Sequence, residues 1–270
     1  MTYKEAVKIL KDAGIGSADY DARELFCHFG GFNRSEIFLN NPECQNPELI
    51  SAVGRRAKRE PLQYIIGEVE FYRESYKVTP DCLIPRADTE ILVDYAVNNL
   101  PEGACFMDLC TGSGCVAIST LKNTKNTTAI AVDIDGGALA VATENAFKNG
   151  VEDRIHLRRV DLMNDVVDEP VFAVLSNPPY VSEAVYRELE SEIFAEPKQA
   201  FVGGIDGGDF YRHLTPIYKD KIDKNGFIAY EIGYDQAGML KSIAEENNMS
   251  CEILKDYGAR DRVAVLRREA

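Results

Sequence analysis

This 270-residue sequence lacks three features, and each absence excludes a class of protein. No apolar run approaches the roughly 18–20 residues that a membrane-spanning helix needs. Residues 1–10 lack the apolar stretch of a secretory signal peptide. The seven cysteines form no C-x-x-C pair, so we expect reduced thiols and no metal site. Together these absences predict a cytoplasmic protein with no membrane-embedded part.

Positive charge is also scarce, with 30 Lys and Arg against 44 Asp and Glu and a net charge of −14. Residues 1–80 hold 11 basic and 12 acidic side chains, so residues 81–270 carry almost all of the excess acidity. Nucleic-acid recognition normally needs a basic surface, and a nucleic-acid partner is therefore not expected. The basic cluster at residues 55–59 is interpreted as a solvated helix end. A local patch that binds nucleic acid is the alternative interpretation of this cluster.

Apolar periodicity divides the chain into three parts. Residues 1–66 predict a helical N-terminal bundle, which we expect to dock a protein substrate, with helices over 3–13, 19–29 and 47–59. Residues 67–87 alternate like a β-hairpin linker with its turn at 73–75. Residues 88–270 alternate strands with helices, which favours an α/β, doubly wound parallel sheet, and two final strands favour an antiparallel edge. These core patterns account for the apolar residues, so a monomer is expected.

A glycine-rich turn, residues 108–114, follows the first strand of the α/β part. Glycine permits close approach of a ligand to the backbone, and the following helix start supplies free N–H groups. Asp133 ends the next strand and can accept hydrogen bonds from both ribose hydroxyls, while Asp161 and Leu162 are placed to meet an adenine. The pattern fits a dinucleotide, because Gly112-x-Gly114-x-x-Ala117 matches that fingerprint, or S-adenosylmethionine.

The motif Asn177-Pro178-Pro179-Tyr180 ends another strand and distinguishes these two cofactors. Asn177 offers a side-chain acceptor, and the prolines stiffen the backbone and leave the Pro178 carbonyl as an outward acceptor. Two acceptors beside the Tyr180 ring suit a planar –NH2 group. A hydride transfer has no need of such a cradle. A methyl transfer does, because an amide or aryl amine nitrogen is a poor nucleophile that must be oriented and polarised.

These motifs resemble those of class I S-adenosylmethionine-dependent methyltransferases that modify planar –NH2 groups. Within that class, the chain is similar to the PrmC/HemK family, the peptide chain release factor glutamine N(5)-methyltransferases. The matching stretches run in order and comprise residues 63–67, 70–72, 83–90, 108–114, 177–180, 196–207, 231–233 and 261–263. Three positions depart from the family pattern: Cys110 replaces a usual Gly, and Val69 and Leu162 replace usual aromatic residues.

The resemblance implies a Rossmann-like domain with a seven-stranded sheet. It also implies methyl transfer to the glutamine amide of the Gly-Gly-Gln motif in release factors. By motif position, the implied cofactor-binding residues are Asp108, Cys110, Thr111, Gly112, Ser113, Gly114, Asp133, Asp161, Leu162 and Asn177. The implied substrate-binding residues are Asn177, Pro178, Pro179 and Tyr180, of which Asn177, Pro178 and Tyr180 are catalytic.

Two other functions stay open. An adenine-N6 methyltransferase for DNA or RNA fits N-P-P-Y equally well, but it needs a basic channel and a flipped base. The helical part could also be a docking module on a non-catalytic α/β domain, although Asn177 and Asp133 argue against that. The 83–90 motif is either functional or contains an Arg86–Glu90 ion pair that braces the loop.

Overall fold

The computed structural model describes residues 1–269 and divides into two compact units. The first unit comprises residues 1–68 and 190–195, and the second comprises residues 69–189 and the chain from 196 onward. None of the helices within residues 1–269 is long and apolar enough to span a lipid bilayer. The sequence-based division at residues 66 and 87 stays a prediction.

Five α-helices form the described part of the first unit: α1 Tyr3–Asp12, α2 Ala18–Gly30, α3 Arg34–Asn40, α4 Pro47–Ala57 and α5 Leu62–Ile66. Local signals set their ends, since Thr2 and Asn33 form capping boxes and Gly31 ends α2 in the left-handed conformation. Their apolar faces share one core around Leu25 and Leu49. The helix predicted over 47–59 ends early, and α5 was not predicted.

The basic cluster that ends α4 is paired, which corrects the prediction of a solvated helix end. The Arg56 side chain is only 5% exposed. Its Nε donates to Asp21 Oδ2 at 2.6 Å, and its Nη2 donates to Glu192 Oε2 at 3.0 Å. Arg55 forms an ion pair with Glu60. Carboxylates of the helical unit therefore neutralise Arg55 and Arg56, which reduces the positive charge available to a polyanion.

A hairpin of β1 Glu68–Phe71 and β2 Glu74–Lys77 follows the bundle. Its turn consists of Tyr72 and Arg73, with φ of 49° and 73°, so the predicted turn at 73–75 is one residue off. Two positive φ values are typical of the tight turns that match strand twist, although those turns usually contain Asn and Gly. Side-chain contacts favour this register, because Tyr72 N donates to Glu90 Oε1 at 2.9 Å.

Seven strands form the sheet of the described second unit: β3 Cys105–Leu109, β4 Thr128–Asp133, β5 Ile155–Arg159, β6 Val171–Ser176, β7 Ile222–Glu231, β8 Met249–Lys255 and β9 Asp261–Arg268. Six α-helices surround it: α6 Glu90–Asn99, α7 Cys115–Asn123, α8 Gly136–Asn149, α9 Glu183–Tyr186, α10 Asp209–Tyr218 and α11 Ala237–Glu246. The strand order is β5-β4-β3-β6-β7-β9-β8. The pairs from β5 to β7 are parallel, and β9 pairs antiparallel with both β7 and β8. This confirms the predicted fold class. The sequence predicts a helix over residues 210–222, but α10 ends at Tyr218 and Ile222 begins β7.

Alternate strand residues fill two cores, one on each face of the sheet. Phe106 and Ala173 belong to one core, whereas Met107 and Val174 belong to the other. Burial on both faces explains why these strands read as continuous apolar runs. The chain runs outward from β3 to β5 and then returns to β6 on the other side of β3. Ligands bind at the carboxyl ends of strands beside such a reversal.

Candidate active site

A cavity of about 270 Å³ lies at the carboxyl ends of β3, β4 and β6, where the strand order reverses. The predicted site residues that line it are Asp108, Cys110, Thr111, Gly112, Ser113, Asp133, Asp161, Leu162, Asn177 and Pro179. Gly114, Pro178 and Tyr180 are not among the described residues that line it. The fold thus brings strand-end residues that are far apart in sequence around one cavity.

Asp108 fastens the glycine-rich turn to helix α7. The carboxyl group is buried, and its Oδ2 accepts from Thr111 Oγ1 at 2.6 Å and from Ala117 N at 3.1 Å. Burial raises the pKa of Asp108 to about 7, although these two hydrogen bonds lower it. Asp108 therefore fixes the conformation of the glycine-rich turn relative to α7.

Three residues of the turn have left-handed backbone: Cys110, Gly112 and Gly114 have φ of 60°, 54° and 82°. A Cβ at Gly114 would lie 2.9 Å from Ile118 Cδ1 and 3.2 Å from Ala142 Cβ, so these side chains would have to shift to admit it. A Cβ at Gly112 would have no neighbour within 4 Å, so the backbone there is open to a ligand. The observed φ of 60° at Cys110 suits the glycine that the family usually has there. A cysteine adopts this left-handed conformation at a steric cost, because its Cβ approaches the backbone.

Asp133 is held firmly at the end of β4. Its Oδ2 accepts from Gly112 N at 2.8 Å, and its Oδ1 accepts from Asp135 N at 3.0 Å. A carboxylate has about four acceptor positions, so further donors can still bind. Burial raises the pKa of this carboxyl group, although its backbone hydrogen bonds oppose that shift. Ile134 lines the cavity beside it and is 44% exposed.

Asp161 lies two residues beyond the end of β5 and organises the next turn. Its Oδ1 accepts from Met163 N at 3.1 Å, and its Oδ2 accepts from Asn164 Nδ2 at 2.7 Å. Leu162 is 5% exposed and contributes an apolar surface to the cavity.

The residues present fit S-adenosylmethionine. Asp133 suits a ribose diol, Ile134 and Leu162 suit an adenine face, and the backbone at Gly112 is open. Ser113 lines the same cavity, and its buried hydroxyl interacts with the Cys115 thiol.

The N-P-P-Y segment follows β6 directly, as predicted. Asn177 Nδ2 donates to Thr89 Oγ1 at 3.3 Å. Gln236 Nε2 donates to the Tyr180 carbonyl at 2.9 Å, and Gly203 packs so tightly that a Cβ there would lie 2.2 Å from the Pro179 oxygen. The Pro178 carbonyl accepts no hydrogen bond from residues 1–269. The role of the Pro178 carbonyl as a substrate acceptor stays a prediction.

An ion pair that the sequence did not predict joins two motifs at the cavity. Arg86 forms an ion pair with the carboxylate of Glu196, and Glu196 Oε2 also accepts from Ile84 N at 2.9 Å. The suggested Arg86–Glu90 pair is wrong, because Glu90 binds the hairpin turn at Tyr72. Arg86 and Glu196 lie 110 residues apart, and no local pattern links them.

Other lining residues were also missed by sequence reasoning. They are Asp81, Cys82, Leu83, Pro85, Thr89, Cys115, Val116, Asp135, Ala138, Val160, Met163, Pro197, Gln199, Ala200, Val202 and Phe210. The sequence analysis recognised residues 83–90 and 196–207 as family motifs. This resemblance indicated that both segments matter, but it did not indicate that they line the cavity.

Comparison with known proteins assigns the family. The PrmC N-terminal domain family matches residues 2–67, and the methyltransferase small domain family matches residues 87–207. The chain is 35% identical over 260 residues to the release factor glutamine methyltransferase of Geobacter sulfurreducens, across 94% of this chain and 91% of that protein. The corresponding protein of Moorella thermoacetica is 38% identical over 266 residues, across 96% and 94% of the two chains.

A solved structure shares the fold alone. The crystal structure of ribosomal protein L11 methylase from Lactobacillus delbrueckii subsp. bulgaricus superposes with a TM-score of 0.52 at 20% identity. The match covers 68% of this chain and 81% of that one. With relatives that share more than a third of their residues along nearly the whole sequence, this chain belongs to the release factor glutamine methyltransferase family.

Proposed function

We propose that the protein methylates the side-chain amide nitrogen of glutamine in the Gly-Gly-Gln motif of peptide chain release factors. The observation that carries this proposal is the position of Asn177 and Pro178. They follow β6 beside a cavity whose residues fit S-adenosylmethionine. The names of the relatives support the same substrate class.

The cofactor-binding residues are proposed from their positions in the cavity. Residues 110–114 would hold the methionine part, Asp133 the ribose, and Asp161 or Leu162 the adenine. When bound, S-adenosylmethionine supplies a methyl group on a positively charged sulfur. The sulfur would keep the electron pair of the carbon–sulfur bond, and the amide nitrogen would gain the methyl group and give up one proton.

Asn177 Oδ1 and the Pro178 carbonyl would accept the two N–H groups of the glutamine amide. These contacts hold the nitrogen in place and draw electron density onto it, which opposes the delocalisation that makes an amide a poor nucleophile. Tyr180 would pack beside the amide plane. The contribution is orientation and electrostatics, so the site needs no strong base.

The partner and location follow from this substrate. Release factors act on the translating ribosome, so we place the enzyme in the cytoplasm. An adenine-N6 activity is not favoured, because the chain has a net charge of −14 and the basic cluster at Arg55 and Arg56 is paired with carboxylates.

A competition assay tests the proposal. Purified enzyme, labelled cofactor, release factor and DNA are mixed, and the label in each polymer is measured. We expect label on the release factor alone. Label on DNA, or on neither polymer, would contradict the proposal.

The Asn177→Ala variant tests the role of the amide acceptor. Transfer should fall by about 10²-fold or more, the usual cost of removing one preorganised polar group from a transition state. Cofactor Kd should change little, because the acceptor acts on the substrate amide. Asn98→Ala, whose amide binds the Asp94 carbonyl on the exposed side of α6, is the matched control and should keep full activity. Unchanged turnover in Asn177→Ala would refute the mechanism.

A further inference from the structure

A buried asparagine interrupts the apolar face of α8. Asn145 has no solvent-exposed surface, and the neighbouring buried positions on this helix are Val141, Ala142 and Ala146. Burial of an amide costs free energy unless its polar atoms form hydrogen bonds. An apolar residue would therefore be expected at this position, and the function proposed so far does not use Asn145.

The Asn145 amide binds two segments that are distant from each other in sequence. Its Oδ1 accepts from Lys77 N at 2.7 Å, and its Nδ2 donates to Lys77 O at 3.0 Å and to Ser113 O at 2.9 Å. Lys77 ends β2 of the hairpin, whereas Ser113 belongs to the glycine-rich turn and lines the cavity. One side chain thus joins the backbone of the hairpin to the backbone of the turn.

Only one orientation of the amide satisfies these three contacts. The Nδ2 group has two protons, and both are used, while Oδ1 can only accept. In the flipped orientation, Oδ1 would face two carbonyl oxygens and Nδ2 would face the Lys77 N–H group, so no hydrogen bond could form. Lys77 therefore selects the orientation in which Asn145 donates to Ser113.

The Ser113 carbonyl belongs to the peptide group that leads into α7. Gly114 supplies the nitrogen of this peptide group, donates to Thr111 O at 2.9 Å and is the N-cap residue of α7. The peptide group is thus held at both its oxygen and its nitrogen. Ser113 is only 2% exposed, so the loss of Asn145 would remove a hydrogen bond where water has little access to replace it.

We propose that Asn145 is a positioning residue that fixes the glycine-rich turn for S-adenosylmethionine and couples the turn to the hairpin. This inference rests on the proposed function, because it requires residues 110–114 to hold the methionine part. None of the hairpin residues 68–77 lines the cavity. An effect of the cofactor on the hairpin therefore has to pass through contacts such as those of Asn145.

The first test compares Asn145→Ala with Asn149→Ala. Asn149 lies one turn further along α8, and its Nδ2 donates to Ser75 O of the hairpin at 3.3 Å. Both variants lose a contact with the hairpin, so both should lower Tm. Only Asn145→Ala should raise the Kd for S-adenosylmethionine, by about tenfold, which is close to the net contribution of one hydrogen bond. Calorimetry at a temperature below both transitions measures Kd, and an equal Kd in the two variants would overturn the proposal.

The variant Asn145→Asp separates the two parts of the contact. Its carboxylate can still accept from Lys77 N, but it has no proton to donate to Ser113 O. It should therefore raise the Kd for S-adenosylmethionine at least as much as Asn145→Ala does. A wild-type Kd in Asn145→Asp would show that the bond to Ser113 does not position the turn.

Amide hydrogen exchange of the wild-type enzyme tests the coupling without any substitution. The Lys77 N–H group should exchange more slowly when S-adenosylmethionine is bound, by the same factor of about ten, because coupling between two sites is reciprocal. The Tyr72 N–H group, which donates to Glu90 at the hairpin turn, should be unaffected and is the control. Equal slowing of both amides would indicate general stabilisation, and unchanged exchange at Lys77 would indicate no coupling. Either result would overturn the proposal.

The outcomes separate this inference from the proposed function. If the wild-type enzyme does not bind S-adenosylmethionine, both fail. If it binds the cofactor but leaves release factor unlabelled, only the proposed substrate fails. If it binds the cofactor and labels release factor while Asn145→Ala keeps the wild-type Kd, only the role of Asn145 fails.

Discussion

At the scale of single residues, Asp108 illustrates how the cofactor loop is built at a cost in stability. Asp108 is only 1% exposed, and the two donors from the loop and α7 do not fully offset the loss of water. Burial raises its pKa from 3.8 to about 7. Between these values the folded state binds more protons than the unfolded state, so stability falls as pH rises.

This gives a prediction for Asp108→Asn. The free energy of unfolding of the wild-type enzyme, minus that of the variant, should decrease from about pH 4 to pH 7 by up to ~1.4 kcal/mol per pH unit. Above pH 7 the difference should level off. Urea titrations of the cofactor-free proteins at several pH values measure it. Asp12→Asn changes an exposed carboxylate and serves as the control. A difference that stays constant across this range would contradict the assignment.

Residue-level reasoning from the sequence identified the strand-end groups because each follows a recognisable local pattern. Asp133 ends the apolar strand β4 and Asn177 directly follows β6, and the sheet topology brings such strand ends together. Thr89 could not be assigned, because its partner Asn177 is 88 positions away and neither residue has a local signal for the other. The same limit applied to Arg86 and Glu196.

At the scale of elements, long periodic segments were predicted well and short or constrained ones were not. The sequence predicts strands over residues 106–109, 128–132, 155–160 and 171–175, and β3 to β6 begin and end within one or two residues of these bounds. α6 and α9 were missed, and the hairpin turn was shifted by one residue. The turn depends on Glu90 and Asp94, which bind Tyr72 from outside the hairpin, so its register is a tertiary property.

The hairpin yields a stability prediction at Arg73. This exposed residue has φ of 73°, a conformation that costs a non-glycine residue about 1–2 kcal/mol. Arg73→Gly removes that strain but increases the entropy of the unfolded chain, so we expect a net gain of about 0.5–1 kcal/mol. Arg73→Ala removes the same charge and keeps the Cβ, so it should give no gain. Chemical denaturation measures both variants, and equal stability of the two would rule out backbone strain as the cause.

At the scale of the whole molecule, the two units contain different functional residues. All residues that line the cavity belong to the second unit, which also contains the N-P-P-Y motif. The helical unit has its own core, and its basic cluster is paired internally. It exposes two adjacent apolar side chains on α3, since Phe38 is 88% and Leu39 is 75% exposed. These features support the proposal that the helical unit docks the protein substrate.

That proposal predicts a divided effect for the double variant Phe38→Ser with Leu39→Ser. Exposed positions have little influence on stability, so the variant should fold normally. The KM for release factor should rise about tenfold, which corresponds to the loss of one modest apolar anchor from an interface. The Kd for the cofactor should stay the same, because it is bound by the other unit. Steady-state kinetics and calorimetry measure the two constants.

Phe147→Ser is the matched control, because Phe147 is 74% exposed but lies on α8 of the second unit. It should leave both constants unchanged. If Phe38→Ser with Leu39→Ser raises KM and cofactor Kd together, the helical unit supports the whole fold and has no separate docking role. If neither constant moves while Phe147→Ser raises KM, the release factor contacts the second unit there. A rise in KM alone, confined to the α3 variant, would assign substrate docking to the helical unit.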